Sequence, residues 1–248
     1  MNLRRLTLIC AAVILFSPYR LYADNFKNNF KANLDEKTLD ALTKDLGALN
    51  GSGSFHTGKA LGFPIGFDVG VHGTAIKVNK DDLILKDDSS RAMAGLGQVE
   101  IGLPMKINII GRGGKVDTAK LVGGGLRFGI LSPSLPGLPA LSITGLYDRL
   151  DHDYFKVTTW SANAVLSIDF PLIDPYIGGG FDSSTLDLKD PAFEGVPAAV
   201  SRSLDGKANG SRVEAGVNLH LIPFTYLNLG AGLANGQAMY HAGAGVKF

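Results

Sequence analysis

The chain has 248 residues, with 24 Lys+Arg against 23 Asp+Glu and only 19% charged residues. That near-neutral balance excludes the strongly basic surface of a dedicated nucleic-acid binder, so no nucleic-acid partner is expected. Glycine, at 32 residues, is nearly double its usual share of about 7%, and the 45% hydrophobic content excludes disorder, leaving a β-rich chain of one domain, soluble or membrane-embedded.

Residues 1–23 read as a secretory signal. Arg4 and Arg5 precede an apolar run from Leu6 to Phe16, and Leu21 and Ala23 suit a cut after Ala23. The run is too short to cross about 30 Å of hydrocarbon as a helix. Cys10 lies inside it, which argues against a lipoprotein. Cleavage would leave 21 basic and 23 acidic side chains and no cysteine, an exported chain without disulfides.

An N-terminal segment, 24–60, carries one expected helix. Asn33 followed by Glu36 makes a capping-box-like start, Leu39, Leu42 and Leu46 share a face, and Gly47 can end it. Such a helix either caps the end of the following domain or plugs it. Gly53-Ser-Phe-His-Thr-Gly-Lys-Ala60 almost spells a phosphate loop. Ala60, however, stands where a Ser or Thr must hold magnesium, and no strand precedes Gly53. The triple glycines 123–125 and 178–180 fall inside expected strands. No cofactor is expected.

From residue 61 to 248 the pattern is period-two. Strands are expected near 65–78, 98–111, 118–130, 140–150, 155–170, 174–187, 210–222, 225–234 and 237–248, with turns at 111–117, 132–139, 151–153, 171–175, Pro223 and Asn235-Gly236. From 98 to 109 the odd places are Val99, Ile101, Leu103, Met105, Ile107 and Ile109, and the even places include Gln98, Glu100, Lys106 and Asn108. Such strands exceed the usual five or six residues and suit a tilted bilayer crossing.

Alternation alone leaves open which face points inward. The last strand places Ala238, Tyr240, Ala242, Ala244, Val246 and Phe248 on one face and ends on an aromatic residue. Here the sequence resembles bacterial outer-membrane β-barrels, by pattern over about 61–248 and by motif over the final nine residues. The resemblance implies that Tyr240, Ala242, Ala244, Val246 and Phe248 form the signal read by the barrel-insertion machinery. Outer-membrane lipid is then the second partner. Tyr240 and Phe248 lie about 20 Å apart vertically after a tilt of roughly 40°, close to the spacing of aromatic girdles around an apolar band. Trp160 and Phe170 repeat the arrangement. Leu61-Gly62-Phe63 and Gly66-Phe67-Asp68, preceded by a helix, resemble an uncharacterised family of exported barrels. The fatty-acid-transporter superfamily also sets a helical hatch before its barrel, although this chain is much shorter and lacks its amino-terminal Asn-Pro-Phe.

The expected fold is therefore all-β, an antiparallel up-and-down transmembrane barrel with a short N-terminal helix, in the bacterial outer membrane after export by a cleaved signal. Both barrel ends belong in the periplasm, so the strand count is even. Ten is expected and eight is the alternative, with the uncounted strand in 52–63 or 82–94.

The polar faces supply candidate lumen residues: Asp68, His72, Glu100, Lys106, Arg127, Arg212, Glu214, His220 and His241, with Asp148, Asp169 and Lys247. Charges of both signs must pair in a narrow barrel, and a self-neutralising lumen makes a poor ion filter. No histidine spacing makes a metal-ligand set. Asp151-His152-Asp153 is the one catalytic suggestion, and a solvated, acidic hairpin turn is the favoured reading of it. No catalytic residue is assigned. The expected function is a structural or surface barrel, or a narrow conduit for small or hydrophobic solutes. The alternatives are an outer-membrane hydrolase using the Asp/His loop and a soluble periplasmic carrier.

Overall fold

The computed structural model describes residues 23–53, 55–62, 66–86, 91–116, 119–133, 135–193 and 204–248. The expected signal segment lies outside them except for its last residue, Ala23. Two helices, α1 (Ala23–Ala32) and α2 (Glu36–Gly51), precede ten strands. These are β1 (Phe67–Lys77), β2 (Arg91–Leu103), β3 (Ile107–Val116), β4 (Ala119–Leu131), β5 (Pro139–Asp151), β6 (Phe155–Ile168), β7 (Ile173–Leu188), β8 (Asp205–Leu219), β9 (Thr225–Ala234) and β10 (Gln237–Lys247). Each pairs antiparallel with its sequence neighbours, and β1 closes on β10, giving an up-and-down barrel without a free edge. Phe67 and Phe248 exchange backbone hydrogen bonds of 3.2 and 2.9 Å, so β1 begins where β10 finishes. We term that end the base and the opposite end the mouth.

Alternation sets the two faces. On β1, Asp68, His72 and Thr74 are buried while Val69 and Val71 are exposed on the outer wall. The same apolar-out phase continues through Ile101, Ile109, Leu126, Ile143, Ile177, Val213 and Leu229. Tyr147, Trp160, Phe181 and Tyr240 ring the mouth half of this wall, and Phe128, Phe170, Phe224 and Phe248 ring the base. Phe248 stacks on Phe67 and Phe224 at 4.6 and 5.0 Å. The base turns are short, whereas the two long connections, 78–90 and 189–204, are at the mouth.

The uncounted strand was hidden inside the clearest alternation. Residues 98–109 are not one strand but the ends of β2 and β3, joined by a 3-10 turn at Pro104–Lys106. Met105 and Lys106 take φ of 63° and 61°, the left-handed region that reverses a chain tightly. The hairpin register pairs Leu103 with Ile107 and Ile101 with Ile109. Odd residues therefore face odd residues, and the periodicity runs through the turn without a phase change. The expected turn at 111–117 is correspondingly strand as far as Val116.

The helical segment also differs from expectation. Asn33 closes α1, its side chain donating to the Asn29 carbonyl at 2.8 Å. The N-cap of α2 is Asp35, which accepts from Thr38 N at 3.0 Å. Gly47 does not end α2. It lets the helix approach Ser184 of β7, where a Cβ would collide with the hydroxyl. The helix stops at Gly51, with Ser52 returning its N–H and hydroxyl to the Leu49 carbonyl.

Both helices sit in the mouth. Lys207 N donates to Asp40 at 2.8 Å, Asn79 N to Asp45 at 2.8 Å, and Asn235 Nδ2 to the Lys44 carbonyl at 3.3 Å. Phe26, Phe30, Leu39, Leu42, Leu46 and Leu49 form an apolar core with inward residues such as Ile76, Val157, Leu186 and Met239. The lumen thus has an apolar upper storey and a polar lower one.

Candidate functional site: a lumen filled by its own chain

After α2 the chain descends the barrel from mouth to base. Ser52, Phe55, His56, Thr57, Ala60 and Leu61 are all buried. This is the stretch that nearly spells a phosphate loop. Here its glycine meets no phosphate: Gly58 N donates to Ser167 Oγ at 2.9 Å, and a Cβ at Gly58 would press on the main chain of Ala140 and Val165. Phe55 packs with Val165 and Tyr176, and its ring fills the space left by the missing side chain of Gly178, where a Cβ would lie 2.5 Å from Cδ1. The Arg212 guanidinium stands 5.3 Å from the Phe55 ring centroid, a cation–π contact.

Three buried arginines anchor the thread to the wall. Arg112 Nε donates to Asp148 Oδ1 at 2.6 Å and Nη2 donates to Oδ2, a bidentate pair. The same guanidinium holds the carbonyls of Ser52, at 2.9 Å, and of Asn50. Arg212 pairs with Asp182 and donates to Asn163 Oδ1 at 2.7 Å, while Ser161 donates to Asp182 at 2.6 Å. Arg127 pairs with Glu100 at 3.0 Å. Glu100 also accepts from Gln98 and Asn108, and Asn108 Oδ1 accepts from Leu61 N at 3.2 Å. Each charge has a partner of opposite sign, as burial in a narrow barrel demands.

A second network surrounds His56. Its Nε2 lies 3.4 Å from Asp68 and 3.9 Å from Glu100, and its carbonyl accepts from Asn218 Nδ2. Asp68 accepts from Tyr226 at 2.9 Å. His72 Nδ1 meets His241 Nε2 at 3.2 Å, His241 lies 3.4 Å from Glu214, and Glu214 accepts from Tyr176 at 2.5 Å. Among the described residues no group of His, Cys, Asp and Glu has the geometry to hold a metal ion.

Of the candidate lumen residues, Asp68, His72, Glu100, Arg127, Arg212, Glu214 and His241 therefore point inward, each into one of these networks. Lys106 does not: it is exposed on the β2–β3 turn, because the strand expected to carry it inward ends at Leu103. His220 is half-buried at the base rim, its Nε2 2.7 Å from Asp174. Asp169 pairs there with Lys59 of the thread at 2.7 Å. At the mouth, Asp151 pairs with Arg149 and Lys189. His152 is stacked against Phe155 at 4.6 Å, with Nδ1 accepting from Tyr154 N.

Sequence reasoning missed Arg112, which fell in an expected turn, and the anchoring part played by Asn50 and Ser52. Carrying the β2 phase through the turn at 104–106 would have put Arg112 on the inner face.

No protein-family model and no curated protein matches the chain. Solved structures match with the barrel. An outer membrane channel from Pseudomonas putida F1 is 8% identical over 79% of this chain and 100% of that one, with a TM-score of 0.48. The attachment invasion locus protein of Yersinia pestis is 13% identical over 74% and 97%, at 0.33. The outer membrane protease OmpT from Escherichia coli is 10% identical over 77% and 99%, at 0.37.

Proposed function

We propose that this chain is an outer-membrane barrel shut by its own N-terminal segment, a structural or surface protein rather than an open conduit. The single observation that carries the reading is the thread of Ser52, Phe55, His56, Thr57, Ala60 and Leu61, buried in the lumen and tied to wall side chains through Arg112, Ser167 and Asn108. The closed ladder, the apolar outer wall and the paired aromatic rings support a bilayer setting, since only a closed barrel satisfies every strand in lipid. They speak against the soluble carrier. The base, with its short turns, faces the periplasm, and the mouth faces outward. The His152 ring packs among Phe26, Tyr154 and Phe155, which favours a structural part for the turn that carries it.

Fractionation tests the setting: the protein should travel with outer membranes and migrate differently on gels before and after boiling. Recovery in the soluble periplasm would overturn it. Vesicles carrying the purified protein should not swell in small sugars or amino acids, and swelling at porin-like rates would overturn the closed-lumen reading.

A further inference from the structure

The outer wall is electrically lopsided. On the outward faces of β1–β4 the only charged residues are Lys77, Arg91, Lys115 and Lys120, all exposed and all at the mouth edge of the apolar band. They stand in two cross-strand pairs: Lys77 opposite Arg91, and Lys115 opposite Lys120. Like charges directly opposite on neighbouring strands repel and weaken the ladder. Among the described residues no acidic side chain forms an ion pair with any of the four. The far side of the wall is built differently. There Lys156 stands opposite Asp187 and Lys207 is paired with Asp205 at 2.9 Å, while Asp151, which stands opposite Lys120 of the basic face, is held by Arg149 and Lys189.

The two basic pairs lie on either side of the β2–β3 junction, whose register runs from Leu103 opposite Ile107 to Gly97 opposite Gly113, with Gly114 packed against Gly95 and Leu96 beyond it. Below the cations the outward positions are glycine or apolar, with Gly73, Gly97, Gly111 and Gly124 set among Val71, Met93, Val99 and Val122, a wall on which acyl chains can pack.

We infer that this face binds a phosphorylated, negatively charged lipid of the surrounding leaflet, its phosphate held between the two basic pairs and its chains lying on the wall below. Phosphate oxygens accept from lysine and, in bidentate fashion, from arginine. An anion between the pairs turns two repulsive contacts into four attractive ones. The inference rests on the membrane reading, which supplies the lipid, and it goes beyond that reading in assigning one side of the barrel a preferred partner.

The experiment reconstitutes the mature protein in phosphatidylcholine vesicles containing a minor fraction of either spin-labelled phosphatidylglycerol or spin-labelled phosphatidylcholine. The motionally restricted fraction of each label is then compared. The wild type should restrict the anionic label several-fold more than the zwitterionic one, and added salt should shrink the difference. Lys115→Gln with Lys120→Gln should remove at least half of the preference, and adding Lys77→Gln and Arg91→Gln should bring it close to one. The control Lys156→Gln with Lys207→Gln removes as much charge from the far side and should leave it unchanged. Equal restriction of both labels by the wild type, or an equal loss in the control, would overturn the inference. Heat-modifiable mobility of each variant separates the two readings: a folded, inserted barrel without lipid preference sinks the site alone, and failure of the wild type to insert sinks the membrane reading.

Discussion

Asp45 of α2 and Asp82 of the β1–β2 connection are neighbouring buried carboxyls that couple helix to loop, with neither more than 2% exposed. Asp45 accepts from Asn79 N, and Asp82 accepts from Ile84 N and Leu85 N, each at 2.9 Å. Burial pushes Asp45 up to about 7, aided by the charge of Asp82 and opposed by the Asn79 hydrogen bond and Lys44. Burial also pushes Asp82 up to about 6, against those two backbone bonds and the bond from Asp45.

Both carboxyls lie above their unfolded value, so their protonation favours the docked state. That contribution is complete below about pH 4 and is lost as pH rises through 6 and 7. Limited proteolysis of the α1–α2 segment should therefore accelerate from pH 5 to pH 8, and Asp45→Asn should flatten the dependence. A rate independent of pH in the wild type would contradict the raised pKa of this pair.

Arg112→Leu should leave Asp148 buried without its cation and the carbonyls of Asn50 and Ser52 without a donor. Removing one partner of a buried pair costs about 3–5 kcal/mol. The expected result is a clear drop in Tm, whereas Arg149→Leu, at an exposed pair, should cost no more than about 1 kcal/mol. Thermal unfolding of the two variants in one detergent checks the contrast, and equal losses would contradict the anchoring part of Arg112.

Much of the barrel was legible in the sequence because its physics is local. Side chains alternate along a strand, so Val213 and Glu214 declare opposite faces wherever the strand sits. The β2–β3 turn was illegible for the same reason, since the pairing of Ile101 with Ile109 preserves the alternation that would otherwise mark a break. The helix was visible in Leu39, Leu42 and Leu46. Its seat was not, because the inward Ile76, Val157 and Met239 that receive it belong to three distant strands. Likewise, the spacing of Arg112 and Asp148 says nothing of their meeting. Glycines carried a signal that composition could only count: Gly47 and Gly178 are small because a helix and a ring press against them.

Gly178→Val should evict the Phe55 ring, whose Cδ1 lies 2.5 Å from where the new Cβ stands. The barrel ladder involves only backbone there, so the fold should survive while the thread loosens. Hydrogen exchange at residues 55–61 should rise by at least tenfold, with little change on β7. Unaltered protection of the thread would contradict its packing on this wall.

The facing of the strands can be read with single cysteines, since the mature chain is expected to carry none. Cysteine at Val213 or Ala215 should react with a lipid-soluble maleimide, and cysteine at Glu214 should resist both lipid-soluble and water-soluble reagents in the folded protein. Labelling at Glu214 by the lipid-soluble reagent would mean that the faces are reversed.

Single-channel recording in a planar bilayer tests the closed lumen most directly, comparing the mature wild type with a variant lacking residues 24–51, which keeps the barrel and removes both helices from the mouth. The wild type should be silent across the applied voltages, and the deletion should show discrete openings as the freed thread leaves the lumen. Steady conductance through the wild type, equal to that of the deletion, would contradict a barrel shut by its own chain.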